Sequence, residues 1–149
     1  MPRPSEQDFI QDIIASVAVV KASTMRVLWD CADVPSLLNS VPALQHRLRA
    51  WYGRLPHSAQ LYQQGSGYIH LKTSIYYAHL LHMGATMLIL RRCLDITAGQ
   101  GAKGSLSSEH QEILDSAMQD GIDAAQHTAR ILSLVRRASQ SVRHCWITM

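Results

Sequence analysis

The sequence predicts an all-α fold of four to five helices packed around one buried central helix, over about residues 70–96, as part of a larger α-helical domain. Three observations carry that prediction. The apolar 47% of the 149 residues is mostly Leu, Ile, Val, Ala and Met with a single Phe, and it holds no run that alternates apolar with polar residues as a half-buried strand would. The stretch from Leu71 to Leu94 is interrupted between Ile75 and Leu90 only by His79, His82 and Thr86, so it lacks the charged face of a surface helix. Segments on either side of it repeat apolar residues at intervals of three and four, the period of a helix packed along one side.

The first helix is expected over about 6–30. Ser5 is placed to cap it, Glu6 and Asp8 complement its positive end, and Phe9, Ile10, Ile13, Ile14, Val17, Val20, Thr24, Val27 and Leu28 form its apolar stripe. Asp33, Pro35, Asn39, Ser40 and Pro42 then break the pattern. Pro42 suits the first position of a second helix that starts after Ser40 or Val41 and runs through Leu44, Leu48, Trp51 and Tyr52. Arg47 and Arg49 point outward, and Gly53 and Pro56 end the helix.

Residues 57–67, HSAQLYQQGSG, are polar with two glycines and read as a loop. The central helix starts near Tyr68 to Leu71. Tyr76, Leu80, Met83, Met87, Leu90 and Leu94 fall on one stripe of it, and Tyr77, Leu81, Gly84 and Leu88 on the neighbouring one, so it needs at least two partner helices. A glycine-rich connection follows over about 97–107.

Ser107 or Ser108 caps the last long helix, expected over about 108–138. Its apolar side is Ile113, Leu114, Met118, Ile122, Ala125, Ala129, Leu132 and Val135. Its acidic residues, Glu109, Glu112, Asp115, Asp120 and Asp123, all precede its basic ones, Arg130, Arg136, Arg137 and Arg143, an order that suits the helix dipole. The apolar run from His144 to Met149 reads as the opening of a further core helix. Residues 1–149 are therefore expected to form one α-helical unit or a fragment of a larger one, with apolar surface near Trp146.

Composition narrows the function classes. The net charge is +3, but the fourteen basic residues are spread along the chain, a poor footprint for nucleic acid. Arg91–Arg92 and Arg136–Arg137 with Arg143 lack a neighbouring base-reading element and read as solvated helix ends. Cys31, Cys93 and Cys145 are odd in number and form no CxxC pair, which argues against a disulfide framework or zinc cluster and for a reducing compartment, cytosol or nucleus. The acidic residues near the N-terminus do not fit a secretion signal. Eighteen uncharged residues separate Lys72 from Arg91, near the lower length of a membrane span, yet His79, His82, Thr73, Ser74 and Thr86 within them argue for a protein core.

Chemistry has no evident seat. His79 and His82 lie three residues apart and can face one point, as metal-binding pairs do, but no spacing supplies the further ligands. The run from Gly99 to Ser105 has its Lys103 before the last glycine and follows a helix, so it is not a phosphate loop. No nucleophile elbow or paired carboxylates appear. The chain is expected to be neither an enzyme nor a holder of a cofactor.

The order of features nevertheless resembles one family. Leu44-Gln45-His46-Arg47-Leu48-Arg49-Ala50-Trp51-Tyr52-Gly53-Arg54-Leu55-Pro56, then a polar loop, then Ile75 through Arg92, is similar to the fungal-specific transcription factor regulatory domain, the middle homology region of the zinc-cluster regulators. Leu48, Trp51, Leu55 and Pro56 match that family's first helical pattern. His79, Leu88, Ile89, Leu90 and Arg92 match its second, and Ala124 to Leu132 resembles the alanine-rich helix that follows. The family's His-Arg-Pro is here Arg91-Arg92-Cys93-Leu94, so the helix is free to run a turn further. The six-cysteine cluster that holds zinc and contacts DNA is absent from these residues.

The resemblance implies a nuclear regulatory unit acting through helix packing, without catalysis, within a parent in which zinc and DNA are bound by a separate domain. Its expected partners are other helices of the same domain or a second copy in a homodimer, and a small-molecule effector. His82, Met83 and Met87 are the candidate ligand or partner contacts. The alternatives are a stand-alone helical protein-interaction module and a metalloprotein or enzyme using His79 and His82.

Overall fold

Four helices make up most of the chain: α1 (Glu6–Asp30), α2 (Val34–Gly53), α3 (Ile69–Gly99) and α4 (Ser108–Ile147), and a 3-10 turn at His57–Ala59 follows α2. The computed structural model describes the backbone of residues 6–61, 69–99 and 106–147, and the side chains of 8–61, 73–98 and 106–137. Among the described residues there is no strand, and no helix is long and apolar enough to cross a membrane. The cap expected at Ser5, the start of the central helix at Tyr68 and the side chains of Arg143, Cys145 and Trp146 lie outside the described residues.

The second helix begins well before Pro42. Asp33, with extended backbone at φ −125° and ψ 162°, accepts the Ser36 amide on its side chain at 2.7 Å and caps a helix whose first turn contains Pro35. Pro42 then sits exposed inside the helix, where its missing N–H and ring cost about 3 kcal/mol. The buried line Val34, Leu37, Leu38, Val41, Leu44, Gln45, Leu48 and Trp51 passes through it unbroken. Each large apolar side chain on that line contributes about 1.5–3 kcal/mol on burial, so the helix survives the proline.

α3 packs against each of the other three helices and is the centre of the fold. Its buried line is not the expected one. Ile75, Ala78, His79, His82, Ala85, Ile89 and Cys93 are buried, whereas Tyr77 is 57% and Leu94 44% exposed, with Met83, Met87 and Leu90 in between. The helix is apolar on more than one side, so hydrophobicity alone does not choose its inner face. Small Ala78 and Ala85 let neighbouring helices come close, and both histidines find carbonyl partners there. The helix runs to Gly99, past the expected end near Ile96, so the connection begins later than residue 97.

α4 is likewise rotated. Leu114, Ala117, Gly121, Ala124 and Ile131 face inward, while Met118, Ile122 and Leu132 are 39%, 44% and 53% exposed. Gly121 explains the choice: a Cβ there would lie 2.9 Å from Leu90 Cβ and 3.2 Å from Leu90 Cγ, so the glycine is what allows α3 and α4 to approach. Ser107 is the cap, its hydroxyl accepting the His110 amide at 3.2 Å. α4 continues without a break through Ile147, so no separate helix opens at His144; the segment after residue 121 contains no Gly or Pro to end it.

Two apolar clusters result. Leu28, Leu37, Leu38, Val41 and Leu44 from α1 and α2 meet Ala85, Ile89 and Cys93 of α3 and Leu114 and Ala117 of α4. At the other end, Ile13 and Val17 meet Trp51, Leu55, Ala59, Ile75 and Ala78. The histidines stand at this second end.

Candidate functional site

His79 and His82 share the inner face of α3 because residues three apart project the same way. His79 is fully buried and His82 nearly so. His79 Nε2 donates to the Ala59 carbonyl at 2.8 Å, and His82 Nε2 to the Leu48 carbonyl at 3.1 Å. A carbonyl only accepts, so in the neutral rings the proton is on Nε2 in both. Their Nδ1 atoms are buried with no hydrogen-bond partner among the described residues.

Trp51 closes the pair from α2. Its ring stacks on His82, with centroids 5.1 Å apart and planes 26° from parallel, and meets His79 edge-on at 6.2 Å. Tyr52 leans on both rings at 5.7 and 6.0 Å. Trp51 Nε1 donates to Ser16 Oγ at 2.8 Å, and that hydroxyl donates on to the Ile13 carbonyl of α1. Three helices are thus joined through one indole.

Burial lowers the pKa of both histidines, opposed in part by their carbonyl bonds; for His82 the neighbouring His79 lowers it further. Both are held neutral at pH 7. Burial also pushes the Cys93 thiol up to about 11, which removes it as a nucleophile.

Beside His82 a cavity of about 280 Å³ opens between α2, α3 and α4, just under the usual size range of small-molecule sites. Leu48, Tyr52, Leu61, Met83 and Ala124 form apolar walls, with His82 and Thr86 on the α3 side. Asp120 at its edge accepts Gln45 Nε2 and Arg49 Nη2, each at 2.8 Å. Gln45 is 7% exposed and also donates to Ser116 Oγ at 3.3 Å. The arrangement gives an apolar ligand a half-open site with mainly apolar walls, at whose edge Gln45, Arg49 and Asp120 are joined to one another.

The structure gathers Leu48, Trp51, Leu55, His79, His82 and Met83 at this end of the molecule, with Pro56 exposed at the corner that follows α2. It does not bring in Met87, which lines a separate groove with Leu90 and Ile122. Arg92 is also elsewhere. Its Nε and Nη2 donate to the Leu28 and Cys31 carbonyls at 3.2 Å each, closing the C-terminal end of α1, and its guanidinium lies 5.3 Å from the Trp29 ring centroid. Arg91 pairs with Asp95 at 3.8 Å. Among the described residues no three His, Cys, Asp or Glu stand together where they could hold a metal ion.

Sequence reasoning missed Ser16, Gln45, Ala59 and Asp120. Gln45 had a signal, a polar residue on the apolar line of Val41, Leu44 and Leu48. Ala59 acts through its backbone carbonyl, which no side-chain pattern announces.

Fold and site together define a four-helix protein whose polar centre is a buried histidine pair beneath a tryptophan. No family model, curated protein or solved structure matches the chain.

Proposed function

We propose that this chain is a non-catalytic regulatory unit of the fungal transcription factor type. It binds a small, largely apolar effector in the cavity beside His82 and passes occupancy on through helix packing, in the nucleus of a parent protein whose zinc-bound DNA-binding domain is separate. The observation that supports this reading is that Leu48 and His82, drawn from two distant stretches of the sequence, meet on the wall of one cavity between α2, α3 and α4, with Trp51 stacked on His82 behind it. An occupant there touches α2, α3 and α4 together, and so biases their packing by differential contact.

A reporter assay tests the proposal. Inserted between an unrelated DNA-binding domain and an unrelated activation domain, residues 1–149 should lower reporter output. Filling the cavity with Ala124→Phe should change that output at equal protein level. Output indifferent to both the insertion and the substitution would refute the regulatory reading.

A second reading, a stand-alone helical interaction module, is favoured by one observation: Met118, Ile122 and Leu132 are exposed on α4.

A further inference from the structure

The exposed side of α4 carries an ordered pattern. Asp115, Met118, Ile122, Ala125, Ala129, Leu132 and Arg136 recur at alternating steps of three and four, the spacing of a coiled-coil seam, and all are exposed. An acidic residue closes one end of the seam and a basic residue the other. Beside it, Met87, Leu90 and Leu94 of α3 extend the apolar surface into a shallow groove with Ile122 and Ala125.

The seam is complementary to itself when reversed. Turned end over end about a point midway between Ala125 and Ala129, it sets Ile122 against Leu132 and Ala125 against Ala129, large against large to either side and small against small at the middle. The two alanines at the centre let the helix axes come close, and the acidic first half of α4 lies along the basic second half of its partner. A parallel arrangement would place like charges together at both ends. An unrelated partner helix would have no reason to match the order of charge and size along this one.

We infer that this face is the interface of an antiparallel, two-fold symmetric homodimer in which α4 packs against α4 of a second copy, with α3 flanking the groove. A two-fold contact uses the same patch on both copies and closes at two. The contact is essentially one helix pair with its flanks, at the low end of specific interfaces, so association is concentration-dependent. This inference does not rest on the effector reading.

Sedimentation of residues 1–149 from roughly 1 to 200 μM, a range that brackets micromolar association, should show a monomer passing to a dimer. Ile122→Glu should weaken association by about tenfold or more, since it puts a charge at the centre of a desolvated patch. Leu132→Lys provides the same readout near the seam's end, and far-ultraviolet dichroism checks that both remain helical. A wild-type monomer across the whole range, a larger assembly, or a dimer indifferent to Ile122→Glu and Leu132→Lys would each overturn the proposal.

Discussion

Acid should weaken this fold through its two buried histidines. In the unfolded chain each side chain titrates near 6.5, while burial holds the folded pKa below that value. The unfolded state therefore takes up protons that the folded state refuses. This contribution to stability is intact above about pH 6.5 and declines as pH falls through that value toward the folded pKa. One pKa unit is worth 1.36 kcal/mol, so between pH 7 and pH 5.5 each histidine can remove at most about 1.3 kcal/mol, and the pair at most about 2.5 kcal/mol. That is a large share of the roughly 5–15 kcal/mol that holds a domain together. Urea unfolding followed by tryptophan fluorescence at the two pH values measures it. The control is His79→Gln/His82→Gln, because a glutamine amide can donate to the Ala59 and Leu48 carbonyls without titrating. The double variant should lose most of the acid sensitivity over this window; the same loss of stability in variant and wild type would refute the reasoning.

Four further outcomes follow from packing and capping. Gly121→Ala should destabilise by about 1–2 kcal/mol in thermal unfolding, because overpacking against Leu90 outweighs the better helix propensity of alanine. Gly84→Ala, whose new Cβ would meet only Lys21 Nζ at 3.5 Å, should instead stabilise by about 0.5–1 kcal/mol. Arg92→Ala should cost about 2–3 kcal/mol by leaving the Leu28 and Cys31 carbonyls without their charged donor, and Arg92→Lys should recover less than half, since an ammonium lacks the fork. Asp33→Ala should lower stability by about 1 kcal/mol and loosen the start of α2, seen as faster amide exchange over Ser36 and Leu37.

The sequence disclosed the helices better than their orientation. α1 and the ends of α2 at Gly53 and of α4 at Ser107 follow from apolar periodicity and caps, which are local. The start of α2 was hidden because Pro35, Asn39, Ser40 and Pro42 all favour turns taken singly, and only the tertiary burial of Leu37, Leu38 and Val41 outweighs them. The inner faces of α3 and α4 were hidden for a different reason. Where apolar residues cover more than one side, the buried side is settled by which backbone can come near, here at Ala78, Ala85 and Gly121. At the site, His79 and His82 stood out as polar interruptions, and Trp51 as a motif residue. The carbonyl of Ala59 and the hydroxyl of Ser16 lie 20 and 35 residues from their partners and carry no pattern of their own.

The histidine pair also fixes how far α3 can slide. Apolar side chains are nearly interchangeable, and a helix lined only with Ile, Leu and Ala could shift one turn, about 5.4 Å, and rebury much the same surface. His79 and His82 permit no such shift, because their donors are aimed at two carbonyls in different segments, Ala59 in the 3-10 turn and Leu48 in α2. Displacement by a turn strands both donors in an apolar interior, at about 1–3 kcal/mol each. The pair acts as a detent that selects one axial position of the central helix from several of similar hydrophobic energy.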